Sequence, residues 1–576
     1  MMKNVHTNGT QDFLSWKWED IAPIGEHLLD FEINSDNIDR WLKEYSDLLS
    51  VIDEMFTRLY IKTTQYTNDS DIEARFNEFI EQIQPKFRTL DEKLQKKLLS
   101  SGIKPKNFDI PMKKIQAENE LFCEENLPLL VEEQKLAYEY NKIIGGLTHQ
   151  WEGKELTTSE MSVFQFNPDR SVREKAWRVV TGDRLKKRDE INALWSKMVK
   201  LRVEIAKNKG FDNYRDYVWQ KKYRFDYSPA DCKTFHDSIE KVIVPAAKRL
   251  FARRAQRMGI PAIRPWDIFA DPYGDTALKP FSDTAELISK GREVLRHVNP
   301  VFAEYFDQMR VDGRLDLESR KNKAPGAYSL GFAVERTPFI FMSASGTQND
   351  VSTLLHEAGH AIHEVLRGKL EYFQDRSENF LPAEFAEVAS MAMEFLTTPF
   401  VNAKTGGFYN DKDAARAFIN QIEESLRFWP YMSVVDSFQH WIYENPEISV
   451  DGEQCELKWA ELWNRFMGAI DYSGEEMVKQ TYWHRQLHIF DSPFYYIEYG
   501  MAQMGAVQVW ANSLTNYAKA VENYTNALKL GSSVGLPKLF ETAGAKFDFG
   551  VETIQQNISL METKLEELVS TLDQAG

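Results

Sequence analysis

The sequence predicts a mainly α-helical protein with one small patch of β-structure, and three observations lead there. Apolar residues recur at spacings of three and four through most of the 576 residues, the pattern of helices with one buried face. Residues 71–140 continue in Glu, Lys, Gln and Leu with few glycines, a helical composition with solvated charges. Lys323–Ser345 (KAPGAYSLGFAVERTPFIFMSAS) breaks the pattern: Gly326, Gly331 and Pro338 punctuate it, and Phe339–Met342 reads as a short apolar strand.

In chain order, Ser35 or Asp36 is expected to cap a helix with Ile38, Trp41, Leu42, Tyr45, Leu48, Leu49, Ile52 and Phe56 along one stripe. Gly145–Gly146 interrupts the helical pattern, and alternation around Lys154–Glu160 suggests a short strand or turn. We place a boundary there: residues 1–165 form an N-terminal helical bundle lobe and 166–576 the remaining region. Helices resume at Ser171. Ile191, Leu194, Trp195, Met198, Leu201 and Ile205 line one ending near Lys209–Gly210, and another runs from Pro229 to Arg257. Pro261–Pro280 is irregular. Ile554, Ile558, Met561, Leu565, Leu568 and Leu572 mark a last packing helix, expected to pack within the chain, with a dimer seam as the alternative.

Composition narrows the function. The chain is 43% hydrophobic and 13% aromatic, so it folds into substantial cores. Lys and Arg total 70 against 87 Asp and Glu, and the net charge of −17 argues against nucleic acid as the main partner. Cys123, Cys232 and Cys455 are too dispersed for a disulfide framework or a cysteine metal cluster. The first twenty residues lack the apolar core of a signal peptide. The longest uncharged stretch, Tyr499–Ala518, carries Gln503, Gln508, Asn512, Ser513 and Asn516, which fits a buried helix and not a membrane span. A soluble, cytoplasmic monomer or homodimer is expected.

The chemistry concentrates in Val351–Arg367, VSTLLHEAGHAIHEVLR, with Asp350 or Ser352 as its expected cap. On a helix, His356 and His360 share a face and can grip one zinc ion together. Glu357, about a quarter-turn round, can act as general base on a water there without ligating the metal. Ala358 and Gly359 leave room for something to approach. His363 returns to the ligand face one turn on; it could compete as a ligand, but reads first as a packing or ligand-supporting histidine.

A third ligand must come from elsewhere. Leu381–Leu396, LPAEFAEVASMAMEFL, is a second helix carrying Glu384, Glu387 and Glu394. Spacing alone does not choose between Glu384 and Glu387; the other glutamate would orient a histidine ring. Further on, Thr481–Ala506 (TYWHRQLHIFDSPFYYIEYGMAQMGA) supplies His488, Tyr495, Tyr496 and Tyr499, donors suited to an oxyanion. The Phe339–Met342 strand, beside the metal, is expected to be an edge strand whose backbone near Phe341–Ala344 takes up an extended peptide.

Together these segments resemble the thimet oligopeptidase and oligoendopeptidase F family of zinc metallopeptidases. The resemblance rests on HEAGHAIH at 356–363, FAEVAS at 385–390, His488 with PFYYIEYGMAQMGA, and IAKNKGFDNYRDY at 205–217. It implies one Zn2+ per chain held by His356, His360 and Glu387, with Glu394 as the family's further glutamate. It also puts Tyr496 and Tyr499 in transition-state-stabilising positions. The third segment is similar to that of angiotensin-converting enzyme as well; His488 sits one residue out of register. Glu498 stands where that enzyme has a chloride-site arginine, so chloride activation is not implied. The implied fold is a prolate, two-lobed helical metallopeptidase with zinc at the floor of a deep substrate groove, and the implied activity is internal cleavage of short unstructured peptides. Two alternatives stay open. An exopeptidase, of carboxypeptidase or dipeptidyl type, would need a cation for a terminal carboxylate; Arg336 and Lys323 lie near the strand, but nothing singles them out. A catalytically silent peptide-binding protein has no need of Glu357.

Overall fold

A computed structural model describes residues 12–274 and 276–575. It is 71% helical with only small sheets, as the periodicity predicts. The first eleven residues, on which the signal-peptide expectation partly rests, lie outside the described residues. Among those described, no helix is long and apolar enough to cross a membrane. Two compact units interleave along the chain. One gathers residues up to 120, 279–411 and 505–547; the other gathers 121–278, 412–504 and those from 548 on.

In the first unit, the helix Ile38–Gln65 buries Ile38, Trp41, Leu42, Tyr45, Leu48, Leu49 and Ile52. These residues share a core with Leu90, Leu94 and Leu98, and Phe56 packs against that core half-buried. Neither Ser35 nor Asp36 caps this helix. Asn37 occupies the position, and a preceding turn ties up its own backbone: the Asn34 N–H donates to Asn37 Oδ1 and the Asp36 N–H to Asn34 Oδ1, at 2.8 and 2.9 Å.

The second unit carries a hairpin, β1 (Thr148–Trp151) and β2 (Lys154–Thr157), turning through Glu152 and Gly153 at positive φ. The helix Arg188–Asn208 buries Ile191, Leu194, Trp195, Met198 and Ile205, and Gly210 follows it at φ 77°. Ser228 and Asp231 form a capping box that starts the helix Pro229–Arg257. The last helix, Val551–Ala575, buries Ile554, Ile558, Met561, Leu565 and Leu572. Its Glu562 and Asp573 pair with Arg249 and Arg257, so it packs intramolecularly.

A three-stranded sheet in the first unit corrects one expectation. It contains β3 (Leu315–Glu318), β4 (Ala327–Phe332) and β5 (Thr337–Ala344) in the order β3-β5-β4. The strand Phe339–Met342 lies in β5, which pairs parallel with β3 and antiparallel with β4. It is therefore central and not an edge, and its backbone at Phe341–Ala344 is not the peptide-binding edge. Pro338–Met342 are all buried. A run that is apolar on both faces marks a covered, central strand.

Candidate metal centre

The helix carrying His356, Glu357 and His360 starts at Gln348, ahead of the expected Val351. Thr347 is its N-cap, so the cap is neither Asp350 nor Ser352. Asp350 closes the capping box instead: its Oδ2 accepts from the N–H and hydroxyl of Thr347 at 2.7 and 2.9 Å. The second helix runs Ala383–Thr397. Gly359 lets the two approach, because a Cβ there would lie 2.6 Å from the Ala389 carbonyl oxygen and 2.7 Å from Ser390 Cα. What Gly359 makes room for is thus the backbone of the glutamate helix.

This approach places Glu387 across from both histidines. His356 Nε2 lies 3.4 Å and His360 Nε2 3.6 Å from Glu387 Oε2. The three donor atoms fall within 4.8 Å of one another. Tetrahedral zinc with bonds of roughly 2.0–2.2 Å separates its donors by about 3.3–3.6 Å, so this donor set fits zinc in spacing and in chemistry. Glu384 is buried on the same helix but does not join the cluster. His363 also stays out: it is buried, its ring packs on Phe385 at 6.2 Å, and its Nε2 has no hydrogen-bond partner.

Supporting contacts orient these donors. His356 Nδ1 is 2.7 Å from Glu394 Oε1, which aims Nε2 at Glu387. The Ser390 hydroxyl donates to Glu387 Oε2 at 3.0 Å. The sequence reading passed over Ser390; the signal that could have found it is its i+3 position after Glu387 on the same helix. The charges converge on a demand for a cation. Burial favours the neutral form of Glu387, but hydrogen bonds from the two imidazoles outweigh it and hold the carboxyl well below its usual range. Burial also works against charge on His356, yet Glu387 and Glu394 hold it well above the usual imidazole range. Glu357 is buried and its carboxyl is pushed up, chiefly by that burial, as general-base glutamates require.

The expected oxyanion donors form a cluster of their own in the second unit. The His488 ring lies 5.0 Å from Tyr496, 6.2 Å from Tyr499 and 5.7 Å from Tyr495. Gln486 fixes it: the amide contacts His488 Nδ1 at 2.9 Å and accepts from the Tyr431 hydroxyl at 2.7 Å. Burial raises the Tyr496 hydroxyl to about 12, so it remains a donor at neutral pH. Glu498 is buried and pairs with Lys222 at 2.9 Å and with Arg224.

Comparison with known proteins gives one family. Residues 163–557 match the sequence model of peptidase family M3, and residues 24–107 match that of the peptidase M3 N-terminal domain. An oligoendopeptidase F homolog of Borreliella burgdorferi is 22% identical over 571 residues, 93% of this chain and 92% of that protein. The chromosomal oligoendopeptidase F of Lactococcus lactis subsp. cremoris is 27% identical over 337 residues, 56% of this chain and about half (52%) of that protein's length. Among solved structures, PZ peptidase A with inhibitor 2 superposes with a TM-score of 0.86 at 27% identity, covering 96% of this chain and 99% of that one.

Proposed function

The chain belongs to peptidase family M3 and is a metalloendopeptidase of the oligoendopeptidase F kind, and on that premise we propose that it cuts internal bonds of short, unstructured peptides with one zinc ion held by His356, His360 and Glu387. The observation that carries this reading is the convergence of two imidazole nitrogens and a carboxylate oxygen at zinc spacing, beside a buried glutamate.

When bound there, zinc supplies a Lewis acid that lowers the pKa of a water towards 7. Glu357 takes the proton of the attacking water and delivers it to the leaving amine. Its raised affinity for a proton makes it a competent acceptor and then a competent donor. Glu394 and Ser390 keep the ligands oriented. The hydroxyls of Tyr496 and Tyr499, with His488, donate to the oxyanion; their gathering in one cluster supports this role. With β5 paired on both sides, β3 and β4 are the strands with an edge to offer an extended peptide. Among the described residues each of them pairs with β5 alone.

The exopeptidase alternative loses one of its two cations. Lys323 Nζ donates to the Asp316 carboxylate and to the carbonyls of Asp316, Glu318 and Met342, with a fully buried side chain. It has no capacity left for a substrate carboxylate. Mass spectrometry of a mixed peptide digest, with and without a chelator, tests the proposal. Chelator-sensitive internal cuts are expected; losses confined to peptide ends would overturn the endopeptidase reading.

A further inference from the structure

Another set of side chains with metal-ligating chemistry lies in the second unit. Cys232 and His236 stand i and i+4 on the helix Pro229–Arg257. Asp436 and His440 stand i and i+4 on the helix Asp411–Glu444. Each pair shares one helix face, the arrangement by which helical bundles build metal sites. The two faces meet. Ligand atoms of Cys232, Asp436 and His440 all lie within 4.8 Å of one another. His440 Nε2 is 3.2 Å from Asp436 Oδ2, and His236 Nε2 is 2.9 Å from the same oxygen.

The cluster is sealed and incompletely satisfied. Cys232 and Asp436 are 0% exposed and His440 2%. Asp436 Oδ1 and His440 Nδ1 have no hydrogen-bond partner, and His440 Nε2 has only its 3.2 Å ion-pair contact with Asp436 Oδ2. Orphaned polar atoms at that depth are costly, and a buried carboxylate needs a countercharge. The surroundings are aromatic: Trp219, Phe494 and Phe466 pack against the two imidazoles. His236 has a separate task, since its Nδ1 lies 3.0 Å from the Ser437 hydroxyl while its Nε2 holds Asp436.

We propose that Cys232 Sγ, a carboxylate oxygen of Asp436 and a ring nitrogen of His440 bind a second divalent ion of the zinc class, with His236 as a positioning residue. A thiolate and a carboxylate cancel the charge of such an ion, so the bound cluster is neutral inside its apolar shell. The site is structural and not hydrolytic, being closed to solvent. It braces the turn before the tyrosines: the His440 ring lies 5.3 Å from Phe494. Phe494 sits at φ 62°, with its N–H bound to Gln439 and its carbonyl to Arg224, two residues ahead of Tyr496.

The test uses full-length protein expressed in cobalt-supplied medium and desalted, with metal counted per chain. Wild type is expected to carry two ions and the His356→Ala/His360→Ala variant one. That remaining ion should show thiolate-to-cobalt charge-transfer absorption in the near ultraviolet, which Cys232→Ser abolishes. The histidine variant leaves the cluster intact, so it decides the matter even where Cys232→Ser does not fold. No ion in that variant, or an ion without the charge-transfer band, overturns the proposal.

Discussion

His356 Nδ1 lies 2.7 Å from Glu394 Oε1, while its Nε2 lies 3.4 Å from Glu387 Oε2. One ring is thus held from both sides by carboxylates of a single helix, one to orient it and one to share a cation. Glu394→Gln keeps the shape and removes the charge. Metal affinity is expected to fall about 10- to 100-fold, as for other partners of ligating histidines. Competition against a chelating dye measures it, and unchanged affinity would show that the ring is oriented by something else.

Glu357→Gln separates binding from chemistry. The variant is expected to keep its catalytic-site metal and to lose turnover by about 100- to 10,000-fold, the usual worth of a positioned general base. Metal analysis alongside peptide hydrolysis checks both halves. Near-normal turnover would remove Glu357 from the mechanism.

Tyr499→Phe deletes one hydroxyl from the aromatic cluster and leaves its packing. A lost oxyanion donor lowers kcat by roughly 100- to 1,000-fold. Steady-state kinetics should show the loss in kcat with KM little changed, whereas a purely structural tyrosine would leave kcat near wild type.

Gly359→Ala tests the helix contact. The added methyl would meet Ala389 O at 2.6 Å, and a backbone atom cannot rotate aside. A destabilisation of about 1–3 kcal/mol is expected, as for other overpacked cores. Weakened metal binding should accompany it, because Glu387 moves with its helix. Chemical denaturation of the metal-free and metal-loaded protein reads both effects.

Asp375 carries a pH prediction. It is buried, and that burial lifts its carboxyl to about 7 against the opposing pull of Lys114 and Arg376. An acid whose native pKa exceeds its unfolded value binds more protons folded than unfolded. Its contribution is therefore present at low pH and lost as pH rises from about 4 to about 7. Asp375→Asn should flatten that part of the stability profile in urea titrations, and an unchanged slope would count against the buried acid.

Much of the site was legible because it is local. His356, Glu357 and His360 lie within one helical turn or so, and any helix there presents them together. The stripe from Ile38 to Ile52 and the Pro229–Arg257 helix were readable for the same reason: a 3.6-residue period is a property of neighbouring residues. Thr347 was missed as a cap because Asp350, its partner in the box, is itself a good capping residue.

Pairings between distant segments were decided by the tertiary structure. The sequence marked β5 as a strand, yet whether it was central or an edge depended on β3 and β4 packing to either side. Spacing left Glu384 and Glu387 equivalent, and the family resemblance was needed to choose; in the fold, the approach at Gly359 brings Glu387, and not Glu384, to the Nε2 atoms of both histidines. Cys232, which looks isolated in the chain, meets Asp436 and His440 only through helix packing. Local periodicity thus determined which faces are apolar and which residues ride together on one turn. Close-packed contacts between segments hundreds of residues apart decided which of those faces meet.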